Sequence, residues 1–128
     1  MKKIVPQGKI DRGWGLEINW SSNENYSGKL LVFEKAGAKT SMMLHKDRRK
    51  SWFVNAGKFK VTFIDIKTGQ ERSQVIEEGK TVDIAEMSPH QLEAMLPNSI
   101  ILEVGMPDYE EDQFRIRPGD SQIRSLGQ

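Results

Sequence analysis

The residues best suited to chemistry lie close together at positions 45–50, which read His-Lys-Asp-Arg-Arg-Lys. Residues two apart on a β-strand point to the same face, so a strand here would place His45 beside Asp47. The basic residues at positions 48–50, together with Lys46, could bind a phosphate group, because guanidinium groups match phosphate oxygens in bidentate fashion. The competing interpretation of this basic cluster is a solvated turn.

Composition excludes several kinds of chemistry. The chain of 128 residues has no cysteine, which excludes disulfides, thiolate metal sites and thiol nucleophiles. Its 19 basic and 18 acidic residues give a net charge of +1, so electrostatics give no reason to propose nucleic acid or a membrane surface as a partner. The sequence shows no Gly-rich phosphate loop, secretory signal or membrane-spanning apolar run, and we expect a cytoplasmic protein.

Short apolar or alternating runs, separated by turn residues, predict an all-β fold. The run at positions 58–65 alternates, with Phe59, Val61 and Phe63 on one face, as expected for a half-buried strand. The segment at 91–96 could form a short helix by propensity, but its neighbours favour a strand. The predicted strands cover positions 27–34, 50–55, 58–65, 81–85, 90–95 and 99–104. Strands at this spacing are typical of a β-sandwich or a β-barrel.

The two ends differ in composition from the middle of the chain. Residues 1–26 contain Gly, Asn and Ser, and we expect them to wrap a barrel or to add an edge strand. Residues 106–128 are rich in charge, Pro and Gly, and we expect a C-terminal extension there. The length fits one domain, so we predict a single domain of residues 1–128 with a barrel core at about 27–105.

Residues 37–57 resemble the first sequence motif of the cupins. In that motif a glycine and a strand precede His-x-His, a glutamate, six further residues and a closing glycine. Here His45 stands at the first histidine position and Asp47 at the second. Lys50 stands at the glutamate position, and Gly57 follows as the closing glycine at the expected spacing.

Residues 79–94 match the spacing of the second cupin motif, which contains glycine, Pro-x-Gly, histidine and asparagine. The five motif positions are occupied by Gly79, Ala85, Met87, His90 and Ala94. Only the first glycine and the histidine keep the expected residue type. The likeness of the two stretches implies the cupin fold, a double-stranded β-helix that closes into a jelly-roll barrel.

Within the cupins, the chain is similar to a sugar-phosphate branch that includes the cupin domains of type II mannose-6-phosphate isomerase and mannose-1-phosphate guanylyltransferase. That branch reads Pro-Trp-Gly near its start, where residues 12–15 read Arg-Gly-Trp-Gly. Its first motif continues with Arg, Trp, Val and Gly at positions that residues 45–57 share. It ends with two acidic residues and an arginine, which residues 109–115 resemble.

This resemblance implies an isomerase that interconverts an aldose and a ketose phosphate, such as mannose 6-phosphate and fructose 6-phosphate. A metal ion would polarise the carbonyl while a base moves a proton. The implied ligands of Mn, Fe, Ni or Zn are His45, Asp47 and His90, a two-histidine, one-carboxylate set. Lys50 is the candidate catalytic base, provided that burial lowers its pKa. The candidate residues for binding the sugar phosphate are Arg48, Arg49, Arg115 and Arg117.

The lysine at the glutamate position favours a different function. An ammonium group repels a metal cation, and Lys50 could pair with Asp47 and fill the site. The second hypothesis is therefore a metal-free, non-catalytic cupin that binds a carbohydrate or another small ligand. A third is a metal-dependent oxygenase that uses the same two histidines and carboxylate. We also expect a homodimer, because pairing through edge strands covers exposed backbone.

Overall fold

The computed structural model of the protein describes residues 2–126 and, beyond Ile123, the backbone alone. The first six strands are β1 (Gly8–Arg12), β2 (Gly15–Ser22), β3 (Ser27–Phe33), β4 (Met42–Leu44), β5 (Lys50–Ala56) and β6 (Lys58–Ile64). The next five are β7 (Glu71–Glu77), β8 (Thr81–Ile84), β9 (His90–Ala94), β10 (Ser99–Gly105) and β11 (Phe114–Arg117). A 3-10 helix (Glu110–Asp112) precedes β11, and helix α1 (Asp120–Leu126) follows it. The ends of all six predicted strands are confirmed to within one residue. They include β9, in the segment that could have formed a short helix by propensity alone.

The strands form two antiparallel sheets. One sheet has six strands in the order β1-β2-β3-β10-β5-β8, and the other has five in the order β11-β4-β9-β6-β7. Strands distant in sequence lie side by side, since β10 pairs with both β3 and β5. Two such sheets, with their buried faces together, make a jelly-roll barrel. The predicted all-β barrel is confirmed.

The inward-facing side chains differ between the two ends of the barrel. On β5 the buried row runs from Lys50 through Trp52 to Val54. The buried row of β9 begins with His90, and that of β10 ends with Glu103. Because β5 and β10 are antiparallel, with Trp52 opposite Glu103, these polar residues meet at one end. The apolar core includes Phe33, Val54, Phe59, Val61, Leu92 and Ile101.

The strand that the first motif predicts is shorter than expected. β4 ends at Leu44, and the chain bends at residues 46–47 before β5 begins. The expectation that His45 and Asp47 share a strand face is therefore wrong, because the period of two holds only within a strand. Asp47 lies on the surface, with its side chain 62% exposed and its carboxylate 3.7 Å from Lys2 Nζ.

Both ends of the described chain pack against the barrel. β1 and β2 extend the six-stranded sheet, as expected for an added edge strand. An isolated bridge joins Ile4 to Tyr109, and Val5 N donates a hydrogen bond to the Asp108 carbonyl at 2.9 Å. No helix within residues 2–126 is both long and apolar enough to span a membrane.

Candidate functional site

A cavity of about 330 Å³ opens at the polar end of the barrel. Its floor contains four buried polar residues, which we call the floor cluster: His45, Lys50, His90 and Glu103. Trp14 and Trp52 contribute to its walls. Its exposed lining residues, which we call the rim, include Arg12, Glu110, Gln113 and Arg115.

Lys50 begins the inward row of β5, and its side chain is 6% exposed. Its Nζ lies 3.2 Å from His45 Nε2, 3.5 Å from Glu103 Oε1 and 5.3 Å from the centre of the Trp52 ring. Burial lowers the pKa of Lys50 to about 8, although the charge of Glu103 acts to raise it. The condition for Lys50 as a base, a pKa lowered by burial, is met, and the role itself stays a prediction.

Glu103 accepts two hydrogen bonds at the centre of the floor and forms an ion pair with Lys50. Arg48 Nη2 lies 2.9 Å from Oε2, while Trp52 Nε1 donates to Oε1 at 2.8 Å. Burial acts to raise the pKa of Glu103, but the charges of Lys50 and Arg48 hold it well below its usual range. The carboxylate is therefore ionised at neutral pH and is shared between two cations.

Both histidines of the floor cluster carry their proton on Nδ1. His45 Nδ1 donates to the Asp112 carbonyl and His90 Nδ1 to the Ser88 carbonyl, each at 2.8 Å. A carbonyl oxygen can only accept, so each Nε2 carries a lone pair. Burial and then the charge of Lys50 lower the pKa of both histidines, that of His45 to about 4. Both imidazoles are therefore neutral at pH 7.

The two Nε2 atoms differ in their partners. His45 Nε2 accepts a hydrogen bond from Lys50, whereas His90 Nε2 is buried and has no hydrogen-bond partner among the described residues. The His90 ring lies 5.7 Å from the His45 ring and 5.4 Å from the Trp52 ring, measured between centroids. Because buried polar atoms are normally satisfied, this lone pair is suited to accept a hydrogen bond from a ligand in the cavity.

Asp112 holds the segment that carries His45. Its carboxylate accepts hydrogen bonds from the backbone N–H groups of Lys46, Asp47 and Arg48 at 2.6, 3.2 and 3.1 Å. Three successive N–H groups that point at one carboxylate form an anion-binding nest. This nest explains why the chain bends after β4. This role of Asp112 is not apparent from the sequence, because an acidic run such as residues 110–112 is usually a solvated loop.

A second ionic group lies in the cavity wall. Lys29 Nζ is 2.6 Å from Asp108 and 3.4 Å from Glu17, which also pairs with Arg12 at 3.1 Å. Burial acts to lower the pKa of Lys29, but the surrounding carboxylates, including Glu103, raise it overall. The cations of the wall are therefore already neutralised by carboxylates of this chain.

Three of the four arginines predicted to bind phosphate lie away from the cavity, and Arg48 and Arg49 are two of them. Arg48 is 2% exposed, and its guanidinium contacts Glu103, the Ser27 hydroxyl and the Met106 carbonyl within the barrel. Arg49 is exposed, with its Nε 3.9 Å from Glu86. Arg48 is therefore a residue of the barrel interior, whereas Arg49 is a surface residue.

Arg115 and Arg117, the other two candidates for binding phosphate, are two residues apart on β11, and the structure separates them. A register shift in the pairing of β11 with β4 lies between these two residues. Such a bulge changes the side on which the following side chains lie. Arg115 lines the cavity, whereas Arg117 pairs with Glu71 in a polar groove on the outer face of the sheet.

Glu103 is the floor residue that the sequence analysis did not identify. It lies in the apolar run of β10, in phase with Ser99 and Ile101, which are both fully buried. A carboxylate on the buried face of a strand needs hydrogen-bond or ionic partners. The position of Glu103 in the alternation of β10 could therefore have identified it as a site residue. The partners themselves come from distant segments, and the sequence alone does not name them.

The floor cluster does not fit the divalent ion that the resemblance implies. Its histidines offer two lone pairs, but the Lys50 ammonium is only 3.2 Å from one of them and brings positive charge to that position. Asp47 does not join the histidines, because it lies outside on the surface. In the described part of the chain, no three His, Asp or Glu side chains come together as a metal-binding group.

Solved structures resemble this barrel closely. Oxalate decarboxylase from Bacillus subtilis superposes with a TM-score of 0.75 at 19% identity, covering 91% of this chain and 32% of its own. KdgF from Halomonas sp. gives 0.61 at 16% identity over 87% of this chain and 91% of its own. CapF gives 0.74 at 12% identity over 88% of this chain and 34% of its own. The chain has the cupin fold.

These likenesses concern the fold, because all three identities lie below 25%. The chain spans about a third of the length of the oxalate decarboxylase that it matches. No protein-family model matches the sequence, and no curated protein is significantly similar to it.

The residue at the glycine position of the second cupin motif has an unusual backbone conformation. Met87, which stands at the glycine of Pro-x-Gly, has a φ of 58° in the left-handed region. Its N–H donates to the His45 carbonyl at 2.7 Å, so this turn connects the two motif-like segments of the chain. Met87 therefore adopts a left-handed conformation that glycine adopts more readily.

Proposed function

We propose that this cupin binds a small polar, carbohydrate-like ligand in its barrel without a metal ion. The observation that carries the proposal is the position of Lys50. Its ammonium lies beside His45 Nε2 and Glu103 and occupies the position where a cation would contact the histidine. The Lys50 ammonium already places a positive charge beside His45 and Glu103, and this charge repels a metal cation.

The lining of the cavity supports a ligand with many hydroxyl groups. Its volume is near the lower end of small-molecule sites, which span roughly 300–1,000 Å³. The lining contains both donors and acceptors, and the cations Arg12 and Lys29 are paired with carboxylates. Hydroxyl groups both donate and accept, so they suit such a mixed lining. Trp14 and Trp52 add apolar surface for the faces of a sugar ring.

One observation supports an isomerase as the second candidate. Lys50 lines the cavity and has a pKa of about 8, so it can exchange a proton near neutral pH. An aldose–ketose isomerase would then use Lys50 as its base. Turnover of mannose 6-phosphate that disappears in Lys50→Met would support this candidate. Turnover that needs an added metal ion would contradict an isomerase that works without one.

The binding proposal is tested by calorimetric titration of monosaccharides into the whole protein, once with EDTA and once with Mn²⁺. We expect equal binding in both conditions, weakened at least tenfold in Lys50→Met. The matched control is Arg49→Met, an exposed residue outside the cavity, which should bind like the native protein. Binding that requires Mn²⁺, or no binding by any sugar tested, would contradict the proposal.

The sugar-phosphate specificity, the homodimer and the cytoplasmic location stay predictions. For the homodimer, sedimentation of the purified protein is the direct measurement.

A further inference from the structure

The floor cluster leaves one donor and one acceptor for a ligand. Lys50 has three N–H donors; His45 Nε2 accepts one of them, and Glu103 Oε1 is an ion-pair partner at 3.5 Å, which leaves at least one N–H group for a ligand. His90 Nε2 is a buried lone pair with no donor among the described residues. The two groups share neighbours, since Lys50 Nζ and the His90 ring lie 5.3 and 5.4 Å from the centre of the Trp52 ring and both adjoin His45.

A hydroxyl group satisfies such a pair. Its oxygen accepts a hydrogen bond from an ammonium group, while its hydrogen is donated to the imidazole lone pair. A carboxylate or a phosphate dianion could accept from Lys50 but would place a second lone pair against His90 Nε2. Ionised groups therefore do not match the floor, whereas an alcohol does.

The rim differs from the floor in that it carries an unpaired cation. Arg115 lines the cavity and has no hydrogen bond or ion pair from its guanidinium within the described side chains. The other rim charges are compensated: Arg12 pairs with Glu17, and Glu110 lies 3.9 Å from Lys3. A guanidinium without a carboxylate is suited to a carboxylate or phosphate oxygen of a ligand.

The sheet register places this cation on the same side as the floor. Arg115 on β11 lies opposite Met43 on β4, and Met43 lies opposite His90 on β9. Side chains opposite one another in a sheet point to the same face, so these three form one row. Adjacent strands lie about 4.8 Å apart, so roughly 10 Å of backbone separates Arg115 from His90.

From this row we infer that the ligand is an anionic polyol, with a hydroxyl group between Lys50 and His90 and its carboxylate or phosphate at Arg115. The inference rests on the proposed function and narrows its ligand class. A six-carbon sugar acid or sugar phosphate has the length and the two different ends that the row requires. A neutral sugar would leave Arg115 without a partner.

The test is calorimetric titration in EDTA with three matched probes: glucose, glucuronate and glucose 6-phosphate. Glucuronate or glucose 6-phosphate should bind at least tenfold more tightly than glucose, and the tighter of the two identifies the anionic group. Arg115→Gln should remove that preference, so that the anionic probes bind no more tightly than glucose does to the same variant. Arg49→Gln, an exposed arginine outside the cavity, should keep the preference.

A second measurement reports on the floor cluster in the native protein. Binding should shift the ¹⁵N resonance of His90 Nε2 in the direction expected for an atom that begins to accept a hydrogen bond. Equal affinities for the three probes, or a preference that survives Arg115→Gln, would overturn the inference and leave the proposed function standing. Failure of all three probes to bind would overturn both.

Discussion

Arg48, Lys50 and Glu103 lie inside the barrel, whereas Glu71 and Arg117 pair on the outer face of the five-stranded sheet. The inner side chains are at most 6% exposed, and those of the outer pair are 46% exposed. Solvent screens the outer pair, while each inner charge depends on its protein partners for compensation. Burial, rather than residue type, therefore decides which charged residues form a site.

The largest expected effect comes from removing the inner carboxylate. Glu103→Gln leaves Arg48 and Lys50 buried without their shared counter-charge, which should lower the free energy of unfolding by about 3–5 kcal/mol. The matched outer variant, Glu71→Gln, should change it by roughly 1 kcal/mol or less. Urea unfolding of both variants measures the difference. Similar losses at the two sites would mean that the comparison is wrong.

Acidification should also act on the inner site. The pKa of each histidine is lower in the folded state, so between pH 6.5 and about 4 the unfolded chain binds more protons and folding loses free energy as the pH falls. For His45 the loss from pH 7 to pH 5 is about 2 kcal/mol. Urea unfolding at these two pH values measures it.

The chain has two histidines, and both lie in the floor cluster, so their NMR titrations report on the site directly. The His45 ring should titrate at about pH 4, and the pKa of the His90 ring should lie well below 6.5. Midpoints near 6.5 would show that water reaches both rings as freely as it reaches an exposed histidine.

A smaller effect is expected from Lys50→Met. Glu103 keeps Arg48 and Trp52 as partners in this variant, and the burial penalty that lowers the pKa of Lys50 disappears. The free energy of unfolding at pH 7 should therefore change by roughly 1 kcal/mol or less. Urea unfolding of Lys50→Met and Glu103→Gln under the same conditions compares their free energies of unfolding. A loss as large as that of Glu103→Gln would show that the fold depends on both charges equally.

The sequence predicted the strands well because their signal is local. The alternation of Phe59, Val61 and Phe63 requires no knowledge of the neighbouring strands, and the structure buries all three. His45 and His90, which stand at the two motif positions, also lie close together in the structure, with 5.7 Å between their ring centroids. Periodicity and motif spacing were sufficient for these features.

The rest of the site depends on contacts that spacing does not encode. Asp47 was expected beside His45, but the Asp112 carboxylate bends the backbone between them, from 65 residues further along the chain. Arg48 was expected at the ligand, yet its partner Glu103 holds it inside the barrel. The partner of each charge lies on another strand, so only the folded chain shows which charges are paired and which remain for a ligand.

The measurement that tests the central claim most directly is calorimetric titration of Mn²⁺ into chelator-treated native protein and Lys50→Glu. We expect no stoichiometric binding to the native protein, because the Lys50 ammonium lies at His45 Nε2. Lys50→Glu should gain near-stoichiometric binding that His90→Ala removes from it, whereas Lys46→Glu, an exposed lysine of the same segment, should gain none. Stoichiometric Mn²⁺ binding by the native protein would contradict the account.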